Sequence, residues 1–215
     1  MNNKQHQDYV TVIGNSYIFP ISDLLKKLIE FPTKGVNEVQ TSVKENGYAV
    51  SVIALMIHYI ESKTVRIKFE SNDFSNRSAL KFLKKFIKED SLYEQVKELF
   101  VIRDCIAHNH LWRAKFKLNE EQDEMKLLEA ELDEHFGDNK FNQVIDFEER
   151  KTKILKLNLF TTRINYKDVQ KVVEVLREFI TYLNNNDFRH LNSLQKVVDR
   201  NGTRFDSLLK QVSAT

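Results

Sequence analysis

Ala49-Val50-Ser51-Val52-Ile53-Ala54-Leu55-Met56-Ile57-His58-Tyr59-Ile60 is the most apolar stretch of the chain, and its reading decides the fold. Its β-branched residues would suit a strand. Length argues the other way. Apolar positions Val39, Val43, Val50, Ile53, Met56, Ile57 and Ile60 recur through residues 36–69, with no turn signal between Gly47 and Asn72, so the spacing predicts a long, central, largely buried helix. The run falls short of the roughly 20 apolar residues that cross a bilayer, and it includes Ser51 and His58, so no membrane segment is expected.

On either side of this stretch the pattern stays helical. Ile21, Leu24, Leu25, Leu28 and Ile29 lie at helical spacing after Pro20 and before Pro32. Ser75 or Asn76 can cap a helix with Leu80, Leu83, Phe86 and Ile87 on its apolar side and Arg77, Lys81, Lys84, Lys85 and Lys88 on the other. A further helix starts at Asp90 or Ser91 and carries Val96, Leu99, Phe100, Ile102, Ile106 and Leu111, reaching as far as Trp112. Residues 120–134 read as a charged helix. Residues 144–147 and 154–160 read as the strands of a hairpin turned near residues 149–152. Helix returns over residues 168–183 and stops at Asn184-Asn185-Asn186-Asp187, and short helices are expected over 188–198 and 205–212. One domain is expected: a helical core of about residues 21–116 and 166–187, an insertion at about 117–165 and C-terminal short helices over 188–215.

Composition agrees with a mainly α chain. Glycine and proline are scarce, five and two in 215 residues, and 41% hydrophobic content can furnish a sizeable core. The 33 basic and 31 acidic side chains leave a formal charge of +2. That balance gives no global field marking a nucleic-acid binder, so any basic surface must be local. The single cysteine, Cys105, forms no intramolecular disulfide, and residues 1–9 lack a secretory pattern. A reducing, cytoplasmic setting is expected. No Cys/His grouping has zinc spacing and no Gly-rich loop cradles phosphate, so neither a metal nor another cofactor is expected.

The chemistry-bearing stretch is Arg103-Asp104-Cys105-Ile106-Ala107-His108-Asn109-His110. On an ideal helix Asp104 and His108 lie about 40° apart, and Arg103 and His110 share an adjacent face. Asp104 can orient the His108 ring and leave one nitrogen to exchange a proton. Arg103 brings a permanent charge and a fork of donors suited to a phosphate under attack. Together these groups suit phosphodiester cleavage. The same spacing also fits an ordinary surface pair; the apolar helix around it, with Leu99, Phe100, Ile102 and Leu111, makes the polar cluster notable. His108 and His110, two apart, do not face the same way and make a poor metal pair. A Cys105/His108 nucleophile lacks an oxyanion-hole glycine, and a cysteine in a helix is usually a small buried hydrophobe.

Arg103-Asp104-x3-His108, on a helix that follows a hydrophobic helix, resembles the HEPN superfamily pattern of an Arg, a polar residue, a few residues and a His. The resemblance covers residues 36–183 in architecture and six residues in motif. It implies a HEPN-like helical bundle with a small β-hairpin insertion, and a homodimer whose motif helices pack about a two-fold axis to form one RNA-cleaving cleft. In that cleft His108 would act on the ribose 2′-hydroxyl or the leaving oxygen, Arg103 would hold the scissile phosphate, and Asp104 would position them. A cyclic 2′,3′-phosphate product without metal would follow. A toxin or phage-defence role, with RNA as substrate and an antitoxin or defence-system protein as partner, is implied by the resemblance alone.

One subgroup, toxins paired with a nucleotidyltransferase antitoxin, carries a modified Tyr two residues beyond the motif His. Here that position is His110, which puts such modification in doubt; His110 and Asn109 stand as supporting candidates. The resemblance also implies that Glu61 contacts Arg103, against a solvent-facing Glu61. The stripe Arg77, Lys81, Lys84, Lys85 and Lys88 can steer RNA through phosphate contacts, although a solvated face looks the same. The alternative function is a non-catalytic helical dimerisation module that binds RNA or protein, with Arg103, Asp104 and His108 as a structural polar network.

Overall fold

The computed structural model describes residues 16–30, 42–73, 75, 78–107, 112–119, 124–132, 139–186, 188, 191 and 194–214. Among them the order is α1 (Ile18–Ile29), α2 (Val43–Glu70), α3 (Ala79–Phe86), α4 (Asp90–Ala107), β1 (Trp112–Asn119), β2 (Glu124–Leu132), α5 (Asn139–Val144), β3 (Ile145–Asp146), β4 (Lys151–Thr152), α6 (Tyr166–Asn185) and α7 (Phe205–Ala214). The fold is mainly α with a small antiparallel β component. No helix among the described residues is long and apolar enough to cross a membrane.

The 49–60 stretch is helical and lies inside α2, the longest helix at 28 residues. Ser42 caps its start by accepting from the Glu45 N–H at 3.3 Å. Ala49, Val52, Ile53, Met56, Ile57, Tyr59 and Ile60 are all buried, and α1, α3, α4 and α6 pack around the helix. Complete burial of each such aliphatic side chain contributes about 1.5–3 kcal/mol relative to exposure, so this helix dominates the core. α7 covers α1 and α6. α1 begins before the expected position, with Pro20 inside its first turn, where no intrahelical N–H is needed.

Polar anchors fix the ends of these helices. Glu45, in the first turn of α2, is buried and accepts from Tyr166 N at 2.9 Å. The Asn46 amide donates to the carbonyls of Thr161 and Ile164. Asn165 and Asp168 form a reciprocal capping box at the start of α6. Asp168 also accepts from the backbone and side chain of Asn158; burial pushes its carboxyl up, against the lowering effect of those hydrogen bonds. At the other end of the chain, Lys26 of α1 meets Asp199 at 2.7 Å, before α7.

Three expectations need correction. Within the helix expected over 120–134, residues 124–132 form β2, which pairs antiparallel with β1, so Trp112 is in a strand and not in α4, whose described residues end at Ala107. The alternation Trp112, Ala114, Phe116, Leu118 against Arg113, Lys115, Lys117, Asn119 is a period-two pattern, and Met125, Leu127, Ala130 and Leu132 answer it once Leu128 is taken as the extra residue at the register shift. Second, β3 and β4 turn through residues 147–150, but 154–160 adds only one bridge, Lys151 to Asn158. The Glu98 side chain takes the Ile154 and Leu155 N–H groups, and left-handed φ at Arg150 and Lys156 bends the chain. Third, described residues between 188 and 198 form no α-helix. Instead Val197 bridges Arg204 across a turn where Asp199 accepts from the N–H groups of Asn201 and Thr203 and Gly202 has φ of 78°.

Residues 141–164 enter the core: Phe141, Val144, Ile145, Leu157, Leu159 and Ile164 are buried in the same contiguous cluster as the helices. Glu98, itself buried, joins this segment to α4 by accepting from Ile154 N at 2.7 Å and Leu155 N at 2.8 Å. Glu98→Ala strands both donors and should cost about 2–5 kcal/mol in urea unfolding, with Glu98→Gln intermediate because its amide oxygen replaces only part of the acceptor. A cost below 1 kcal/mol would show that Glu98 is not the anchor, on the order of what a weak surface contact supplies.

Lys63 of α2 is buried, its Nζ 5.0 Å from the Tyr59 ring centroid. Burial, with help from the charge of Lys196, pushes its ammonium down from 10.5 to about 8. The unfolded chain therefore holds this proton to higher pH than the fold does, and folding stability rises through the window from about 8 to 10.5. Urea unfolding at pH 7 and pH 10 should show the parent gaining on Lys63→Met by on the order of 2 kcal/mol at the higher pH. An unchanged difference would mean that the ammonium is solvated in the fold.

Candidate functional site

α4 buries Val96, Leu99, Phe100, Ile102 and Cys105 against the core and leaves Arg103 and Asp104 half-buried at its C-terminal end. Arg103 lies over the Phe100 ring, one turn earlier, at 4.9 Å from the centroid. Its Nη1 donates to Glu61 Oε2 of α2 at 3.0 Å, and its Nε and Nη2 donate to Asp104 Oδ1 at 3.2 and 3.0 Å. The contact with Glu61 implied by the resemblance is therefore present. Burial opposes the Arg103 charge, but Asp104 and Glu61 together outweigh it and push the guanidinium above its ordinary value.

Asp104 holds Arg103, whose long side chain turns back and reaches its neighbour in sequence; its expected partner His108 lies outside the described residues. His108, Asn109, His110 and Arg77 lie outside the described residues. With α4 ending at Ala107, the helical-wheel relation of Arg103 to His110 has no described helix to rest on.

The cluster extends further along α2 than the sequence reading placed it. His58 Nδ1 is 3.6 Å from Glu61 Oε2, the oxygen that also accepts from Arg103. Tyr17, just before α1, stacks on the His58 ring with centroids 6.3 Å apart and planes 24° apart. Sequence reading treated His58 only as a polar break in an apolar run; the available signal was its placement three residues before Glu61, which puts both on one face.

Arg103 has five N–H groups, and the carboxylates take three of them, so two are not taken by any described residue. One guanidinium against two carboxylates leaves the cluster short of positive charge for a phosphodiester. A protonated histidine would supply it. Cys105 is buried, as a small core residue is. Among the described residues no group of three or more His, Cys, Asp and Glu side chains is placed to hold a metal ion.

Lys81, Lys84, Lys85 and Lys88 are exposed. Lys85 pairs with Asp73 at 2.6 Å, and the hydrogen bond from Lys85, with those from Ser75, pulls the Asp73 carboxyl down to about 2. Lys88 sits just before α4, about 20 Å along that helix from Arg103, so only an extended polyanion reaches both. A cleft of about 540 Å³ opens elsewhere, lined by Glu89, Glu174, Glu178 and Asp206 with Arg177 and Lys210. It shares no residue with the Arg103 cluster. The Arg103 cluster is the better candidate because its groups converge on one guanidinium.

Compared with protein-family models, curated proteins and solved structures, the chain finds no match in any of the three. The geometry of the site itself therefore carries the functional argument. Coupling between Glu61 and Arg103, from the cycle of Glu61→Ala, Arg103→Ala and the double variant in urea unfolding, should be about 1 kcal/mol, the upper range for a partly exposed pair. Coupling indistinguishable from zero would mean that the pair is broken in solution.

Proposed function

We propose that this chain is a HEPN-like endoribonuclease that cleaves RNA phosphodiesters without a metal. The observation that carries the reading is the Arg103 guanidinium, held between Glu61 and Asp104 at the junction of two packed helices with two N–H groups that no described residue takes. Arg103 contacts the scissile phosphate. His108, the next residue but three after Asp104, exchanges a proton with the ribose 2′-hydroxyl. As the 2′-oxygen to phosphorus bond forms, the bond to the 5′-oxygen breaks, leaving a cyclic 2′,3′-phosphate and a 5′-hydroxyl. A homodimer brings two such clusters to one cleft, where a protonated His108 from each copy would add positive charge. A cytoplasmic toxin or phage-defence effector, held by an antitoxin or a defence-system partner, is the biological setting this reading supports.

A second reading has its own observation in favour: both carboxylates are already committed to Arg103, as in a structural network. In that case the chain is a helical dimerisation module that binds RNA or protein.

Incubating purified protein with labelled mixed-sequence RNA in chelator separates the two. Cleavage by the parent, with at least about 100-fold loss in folded His108→Ala and Arg103→Ala dimers, is the expected result. A folded parent dimer that leaves RNA intact favours the binding module.

A further inference from the structure

Transesterification of RNA moves two protons: one leaves the 2′-hydroxyl as it attacks, and one must reach the 5′-oxygen as it departs. One His108 accounts for one, and in the homodimer the partner's His108 is the rival source of the other. In the described cluster, Arg103 is pushed up and keeps its proton, while Glu61 and Asp104 are engaged as acceptors from it. His58 is the remaining described group whose residue type exchanges protons near neutral pH.

His58 is also placed for the task. Its Nδ1 is 3.6 Å from the same Glu61 oxygen that lies 3.0 Å from Arg103 Nη1, so an imidazolium there and the guanidinium share one carboxylate. Tyr17 stacks on the ring and limits its rotation. The His58 side chain is 46% exposed, more open than Glu61 at 34% or Arg103 at 24%, so it occupies the solvent-facing end of the chain of contacts. As an imidazolium it would also balance the second carboxylate. Among the described residues, the charged and titratable groups it meets are Glu61 on its own helix and Tyr17 before α1, and Glu61 links it to Arg103 and Asp104 of α4.

We infer that His58 is a second catalytic residue of this site, donating a proton to the leaving 5′-oxygen while His108 accepts the proton of the attacking 2′-hydroxyl. This rests on the ribonuclease reading. His58 loses one proton and His108 gains one in each cleavage, and exchange with water restores both.

The test compares metal-free cleavage of RNA with cleavage of a uridine 3′-(p-nitrophenyl phosphate), whose leaving group departs without a proton. The proteins are the parent, His58→Gln and His58→Asn, each matched to the parent by circular dichroism. Both variants should lose about 100-fold in kcat on RNA with KM changed by less than about 3-fold, and lose less than about 5-fold on the nitrophenyl ester. Parent-like RNA cleavage by either folded variant, or equal loss on both substrates, overturns the assignment of His58 and leaves the ribonuclease reading standing. A parent inactive on both substrates overturns both together.

Discussion

A helix covered by four others has few places to keep a charge, and α2 is such a helix. Each of its polar residues on a covered face must find a partner in the packing itself, because unpaired burial costs several kcal/mol. Glu45 meets that demand with the Tyr166 N–H, Glu61 with Arg103, and Lys63 in part with the Tyr59 ring, at the cost of a lowered ammonium pKa. These partners position what surrounds α2. Glu45 fixes where α6 begins, and Glu61 fixes how Arg103 of α4 presents its remaining donors.

The same demand gives the candidate site its character. Two carboxylates make Arg103 rigid and permanently charged, which suits a group that must meet charge developing on a phosphate. They also leave the cluster anionic on balance, so an anionic substrate binds only where further positive charge arrives. A protonated histidine is one such source. That requirement would tie anion binding to protonation, which a bare arginine on a surface would not do.

Much of the helical frame was legible because its signals were redundant. α2, α4 and α6 combine apolar periodicity with length and with few interrupting glycines or prolines, whereas the contact of Glu61 with Arg103 was expected from the family resemblance and not from any local pattern. β1 and β2 were missed for a specific reason: Lys, Glu, Leu, Met and Ala favour helix in isolation, and the period-two order of those same residues carried the opposing signal. The second strand of the expected 144–160 hairpin could not form as read because its N–H groups are taken by Glu98, a residue some 56 positions away that no local pattern announces. His58 was overlooked as a site residue because an isolated histidine in an apolar run reads as core decoration until its neighbours in space are known.

Glu98 and Arg103 stand on one rod, five residues apart. A helix twists little over such a span, so whatever sets the angle at Glu98 sets it at Arg103 too. The Ile154 and Leu155 amides therefore work as a keyway for the Glu98 key: they index α4 about its own axis, so that the Arg103 side chain is offered toward Glu61 rather than past it. A surface loop with no chemistry of its own thus holds the aim of the charge on which the candidate chemistry depends.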